Sequence, residues 1–298
     1  MSFVDKKRTI VVATDLEGRC EAALEYARKI AGTYNAQIVL AHGIDPIDYA
    51  TVESVPGAVM KGVSERARAV LDGLAADLVR EGIHSHSEVR QGGLVQMLLD
   101  VTRQYDAGLL VVGTRGREGA GPLAVGTIAE QLVRRSSFPV LAVAEDWNAG
   151  QYRPVPGGPI LLAMERNEST QTAMEAACSL AKAFHRTLIM VHARTAAEAS
   201  AFLNPCATTL QQFGLHESVD FPVRCEVKDG RPAEVIARAI AQHSPSILVA
   251  GVKRRSDSPG AHGTIFSLLA VSRVPVLCVP VCQEVEPLED DIRMAEAV

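Results

Sequence analysis

One half of this chain repeats the other. Residues 8–15 form a short apolar run ending in Asp15, followed by an Ala-rich stretch at 21–32 and a second apolar run at 36–42 ending in His42. The same three segments recur at 159–165, 172–184 and 186–192, with landmarks 150 residues apart: Asp15 with Glu165, Ala27 with Ala177, His42 with His192. Later landmarks, Gly92 with Gly230 and Gly113 with Gly251, are 138 apart, so the second copy is 12 residues shorter before Gly230, where the first carries a helical stretch at 64–81. Both copies close on a Pro-led apolar strand, from Pro139 and from Pro275. A chain built this way must fold as two versions of one unit.

Within each copy, apolar runs of strand length alternate with helical stretches. The runs are continuous rather than alternating in polarity, as strands covered on both faces require. This predicts the α/β class, with a five-stranded, doubly wound parallel sheet in each copy. Residues 146–158, with Asn148, Gly150, Pro154, Pro156, Gly157 and Gly158 and no periodic apolar face, have linker chemistry. The expected organisation is a first domain at 1–145, a linker at 146–158, a second domain at 159–283 and an acidic tail at 284–298.

Composition narrows the class further. A chain with 47% hydrophobic and 22% charged residues is globular rather than disordered. Its apolar runs stop well short of the roughly 20 residues a membrane helix needs, and no export signal precedes the first strand. The six cysteines are spread singly with no CxxC pair, which suits buried reduced thiols in a cytoplasmic protein. The net charge of -5 resides in the tail, where Glu284, Glu286, Glu289, Asp290, Asp291 and Glu296 face one base, Arg293. The rest of the chain is neutral, which argues against nucleic acid as a partner, because such binding draws on Lys and Arg.

The residues that leave the strand ends carry the chemistry, since open α/β sheets bind ligands beyond the carboxyl ends of their strands. After the run at 109–112 come Gly113, two residues, Gly116, nine residues, Gly126 and Thr127, where an amphipathic helix begins. Glycines let backbone N–H groups approach an anion, and a helix start offers unpaired donors and a positive dipole end. Thr127 can add its hydroxyl or serve as an N-cap. Arg115 and Arg117 place charge beside the loop, or are solvated loop residues. The spacing is not a Walker A loop, and the loose GxGxxG/A match at 119–124 is interrupted by Pro122. The alternative to phosphate binding is a surface connection with no ligand.

On Gly113, Gly116, Gly126 and Thr127, the chain resembles a tandem universal stress protein whose first domain is of the ATP-binding type. The resemblance covers both copies and omits the linker and tail. It implies two flavodoxin-like, adenine nucleotide alpha hydrolase-like domains, pairing of the domains through their closing strands, and ATP, accompanied by Mg2+, between the first-strand turn and the glycine loop. Carried over by position, Asp15, in the turn Ala13-Thr14-Asp15, meets the adenosine; Gly43 presents its main chain to the adenine edge; and Gly113, Gly116, Gly126 and Thr127 hold the phosphates with Arg115 beside them. Asp15 also fits helix N-capping, which needs no ligand.

The second copy departs from this pattern. Arg254 stands where the second glycine belongs, eight residues instead of nine separate it from Gly263, and Glu165 replaces Asp15. A side chain then enters the space where backbone would meet phosphate, so weak or absent nucleotide binding is expected there. His42 and His192, at matched strand ends, read as structural, and His84 and His86 read as part of a connection without metal partners. No nucleophile elbow, carboxylate pair or triad accompanies the loop, so no catalytic residue is assigned. The expected function is a regulatory, ATP-binding stress protein; the alternatives are an interaction module without nucleotide and a slow ATPase. Two copies can pair internally, and a further homodimer stays open.

Overall fold

The computed structural model describes residues 7–16, 20–45, 57–114, 127–144, 157–164, 169–194, 221–252 and 264–280. The first copy runs β1 (Thr9–Ala13), α1 (Glu21–Tyr34), β2 (Gln37–Ile44), α2 (Gly57–Arg80), β3 (Ser85–Gln91), α3 (Leu94–Gln104), β4 (Leu109–Gly113), α4 (Thr127–Arg135) and β5 (Val140–Val143). The second runs β6 (Ile160–Met164), α5 (Ser169–Ala183), β7 (Leu188–Arg194), β8 (Val223–Asp229), α6 (Pro232–His243), β9 (Ile247–Val252), α7 (Thr264–Val271) and β10 (Val276–Pro280).

All ten strands lie in one sheet, ordered β3-β2-β1-β4-β5-β10-β9-β6-β7-β8. Each half is thus a doubly wound parallel sheet of order 3-2-1-4-5, with its reversal of direction between the first and fourth strands. The two halves join where β10 lies antiparallel to β5, with Leu277 opposite Leu141. Because the strands run in opposite directions in the two halves, their carboxyl ends open on opposite rims of the sheet.

Side chains alternate across strands, so each inner strand feeds two apolar layers. Ile10, Val12, Leu40, Leu141 and Val143 of the first copy pack with Ile160, Leu162, Leu277 and Val279 of the second, under α1, α2 and α5. On the other face Val11, Val39, Leu110, Val140 and Ala142 join Leu161, Leu248, Val276 and Cys278 under α3, α4, α6 and α7. Both layers therefore cross the junction without interruption. Hydrogen bonds add to them: Tyr34 Oη lies 2.9 Å from Ser179 Oγ, and Tyr26 Oη donates to the Ser246 carbonyl at 3.3 Å.

The repeat extends to backbone detail. Left-handed residues stop matched elements at Asn35 and His185, with φ of 50° and 51°, and at Asp106 and Ser244, with 44° and 45°. Gly92 and Gly230, at φ 130° and 140°, turn the chain from third strand to helix in each copy, a conformation that only glycine adopts without strain. Before each closing strand a serine folds the turn onto itself: Ser136 Oγ accepts the Phe138 N–H at 3.1 Å, and Ser272 Oγ accepts the Val274 N–H at 3.1 Å.

Three expectations need correction. The edge strands β3 (SHSEVRQ) and β8 (VRCEVKD) are polar rather than continuous apolar runs, because their outer edges face solvent and charge there discourages further pairing. His86 lies inside β3 rather than on a connection before it, stacked on Tyr105 with ring centroids 6.4 Å apart. Among the described cysteines Cys20 and Cys278 are buried, but Cys178 is only partly so and Cys225, on edge strand β8, is exposed.

Candidate functional site

The first copy's crevice lies at the strand-order reversal, where β1 and β4 run side by side with Val12 opposite Val111. Here the chain leaves the sheet at Ala13, Thr14 and Asp15 on one strand and at Gly113 on its neighbour. Each ladder continues one bond past its strand. The Thr14 N–H donates to the Ala41 carbonyl and the Thr114 N–H to the Val143 carbonyl, both at 2.9 Å. Beyond Asp15 the chain turns abruptly, since Leu16 adopts φ 62°. A left-handed leucine costs on the order of 1 kcal/mol, and such strain gathers at ligand sites. The packing of Leu16 against two apolar clusters holds it there.

A histidine pins this exit. His42 Nδ1 donates to the Thr14 carbonyl at 2.9 Å, and in the second copy His192 Nδ1 donates to the Met164 carbonyl at 3.1 Å. A carbonyl only accepts, so the proton resides on Nδ1 in both rings. Both histidines are therefore structural ties between the ends of the first and second strands. Their matched positions in the repeat were the sequence signal for that role.

Thr14 differs from its counterpart in one respect. Its Oγ1 is shielded from solvent and has no hydrogen-bond partner among the described residues, although a buried hydroxyl normally finds one. The matching residue in the second copy is Met164, which is buried and carries no hydroxyl. Among the described residues, this strand exit therefore carries a buried hydroxyl in the first copy and a thioether in the second. Thr114, not singled out in the sequence, is buried at the end of β4; nothing in the pattern of residues marked it.

Gly43 sits at the end of β2, paired with Arg90 of β3. A Cβ on Gly43 would overlap Leu94 Cδ2 and lie 2.6 Å from Met97 Cε, so α3 packs directly on this backbone. The second copy has Ala193 here, and its helix offers the smaller Pro232 and Val235 at the positions of Leu94 and Met97. Helix packing thus accounts for Gly43 without reference to a ligand. Thr127 opens α4, as the spacing predicts. That helix carries Glu130 in its first turn and Arg134 and Arg135 in its last. Arg134 holds the Glu130 carboxylate with two N–H groups, at 3.0 and 2.8 Å, which tempers a negative charge near the start of the helix.

Of the predicted site residues, Ala13, Thr14, Asp15 and Gly113 share the reversal point, Gly43 flanks it and Thr127 begins the following helix. Arg115, Gly116 and Gly126 lie outside the described residues, as do Glu165, Arg254 and Gly263. Among the described residues no group of three or more His, Cys, Asp or Glu side chains is placed to hold a metal, and no helix is long and apolar enough to cross a membrane.

Strand order and the repeated unit define a tandem pair of doubly wound, parallel α/β domains. The family model for the universal stress protein family matches residues 7–144 and again 158–280, so the chain belongs to that family. A universal stress protein of Mycolicibacterium smegmatis is 26% identical over 193 residues, covering 61% of this chain and 63% of that protein. One from Methanocaldococcus jannaschii is 23% identical over 46% of this chain and 81% of its own length. The fold matches the crystal structure of a universal stress protein from Archaeoglobus fulgidus with a TM-score of 0.75 at 17% identity, covering 92% of this chain and 99% of that one. A putative universal stress protein from Pseudomonas aeruginosa matches with a TM-score of 0.65 at 19% identity, covering 93% and 94%.

Proposed function

We propose that the first domain binds ATP, with Mg2+ as its counterion, between the β1 exit and the glycine loop, and that the nucleotide is a regulatory ligand in a cytoplasmic stress response rather than the substrate of a dedicated catalytic centre. The observation that carries this reading is the strand reversal, where Asp15 and Gly113 leave adjacent strands beside a buried Thr14 hydroxyl that has no partner among the described residues. Leaving such a group unpaired costs about 1–3 kcal/mol, and a nucleoside hydroxyl or ring nitrogen bound in the crevice would relieve that cost. The neighbouring Asp15 and Gly113 fit the same ligand, the first as acceptor for adenosine and the second as a backbone that phosphate can approach. Arg115, Gly116, Gly126 and Thr127 complete the phosphate site in this reading.

The second domain is assigned an interaction role without nucleotide. Met164 replaces the threonine, and Arg254 replaces the glycine. With β5 and β10 already paired, a homodimer would use other surfaces. The full chain is titrated with ATP and AMP by calorimetry, and ligand released from the denatured protein is identified by mass spectrometry. Saturable ATP binding that Gly116→Arg abolishes supports the proposal. No detectable binding refutes it, recovery of a flavin replaces the ligand class, and turnover abolished by Gly116→Arg favours the slow ATPase.

A further inference from the structure

One contact ties helix α4 of the first copy to helix α7 of the second. Helix α4 starts at Thr127, immediately after the first copy's glycine loop, and near its far end the Arg134 guanidinium carbon lies 3.9 Å above the centre of the Phe266 ring. Phe266 occupies the first turn of α7, the helix that follows the matching loop of the second copy. The guanidinium is held in place by its two hydrogen bonds to Glu130. A nine-residue helix thus has one end at the intact loop and the other at the opening turn of α7.

The contact is not reproduced in the opposite sense. Counting from Thr127 and Thr264, Arg134 matches Val271 and Phe266 matches Ala129, so the reverse pairing has neither cation nor ring. Ala129, Leu132 and Val133 are buried in the apolar layer that also holds Leu268 and Leu269 of α7. A displacement of α4 along its axis therefore reaches α7 through the Arg134–Phe266 contact.

We propose that Arg134 and Phe266 couple occupancy of the first domain's crevice to the start of α7, so that nucleotide bound by one domain alters the loop-facing surface of the other. The inference rests on the nucleotide reading above. Phosphate at the start of α4 fixes the position of that helix, and the stacked pair passes the constraint to α7. Coupling of this kind is reciprocal, so a partner that engages the opening turn of α7 would strengthen ATP binding in the first domain.

Hydrogen exchange of the full chain, with and without saturating ATP, tests this together with calorimetric binding. In the unaltered protein ATP should slow exchange in both α4 and α7. Phe266→Leu keeps an apolar side chain but loses the ring; it should bind ATP and protect α4 while the α7 response is lost. Arg134→Met, at a partly exposed position, should reproduce that loss and guards against a folding defect in the first variant. ATP binding with α4 protected and α7 unchanged in the unaltered protein overturns the coupling alone. An α7 response that survives both substitutions overturns the assigned contact. Failure of the unaltered protein to bind ATP overturns the nucleotide reading, and the coupling falls with it.

Discussion

Replacing Thr14 by Val removes one hydroxyl and keeps the β-branched shape. In most proteins this change destabilises, because the buried hydroxyl leaves a partner behind. Here Oγ1 has no partner among the described residues, so the ligand-free chain loses only a desolvated polar atom. An unpaired buried hydroxyl costs about 1–3 kcal/mol, and substitution by a methyl recovers part of that, so the ligand-free protein should gain about 1 kcal/mol. In a domain of this size that corresponds to about 2–4 °C in Tm. The ligand-bound state should not share that gain. Loss of one hydrogen bond worth about 1 kcal/mol weakens ATP binding roughly fivefold. Thermal melts with and without ATP, together with calorimetry, separate the two effects: the variant should start higher and gain less from nucleotide. A lower Tm in the ligand-free variant would show that the hydroxyl already has a partner. Unchanged ATP affinity would remove Thr14 from the ligand site.

Two further predictions follow from packing and burial. Gly43→Val places a branched side chain against Leu94 Cδ2 and Met97 Cε, the ends of two side chains that must swing aside, so urea unfolding should show a loss of about 1 kcal/mol, the low end of overpacking costs. Burial pushes the Cys278 thiol up to about 12, and burial followed by the nearby Glu175 carboxylate pushes Cys178 up to about 11. Alkylation mapped by peptide mass should therefore modify the exposed Cys225 well before Cys178, and leave Cys278 unmodified in the native state. Both folded-state values lie above the 9.0 of an unperturbed thiol, so the neutral thiols contribute stability that is fully present below about pH 9 and declines as pH rises toward 11 and 12. Stability that rises with pH across that window would contradict the burial of these thiols.

The repeat, the α/β class and the strand count in each half were legible in the sequence because buried parallel strands must be apolar along their length and glycines must stand where the backbone turns or meets an anion. The pairs 150 and 138 residues apart recur in the structure as matched left-handed caps, matched histidine ties and matched serine turns. The edge strands were less legible. A strand with one free edge tolerates SHSEVRQ or VRCEVKD as readily as an apolar run, so composition there records exposure rather than strand propensity.

Other properties belong to the tertiary structure alone. Pairing through the closing strands was expected from the resemblance, but only the structure shows that β10 runs antiparallel to β5, which merges two domains into one sheet and sends their crevices to opposite rims. Gly43 carries the same letter whether it admits a ligand or a helix, and only the tertiary structure places Leu94 and Met97 against it. Thr14 looks like any residue beside an acid until its hydroxyl is found without a partner, because hydrogen-bond satisfaction depends on every neighbouring segment at once. Residue type and spacing determined the repeated unit. Packing decided which of its polar groups remained unpaired.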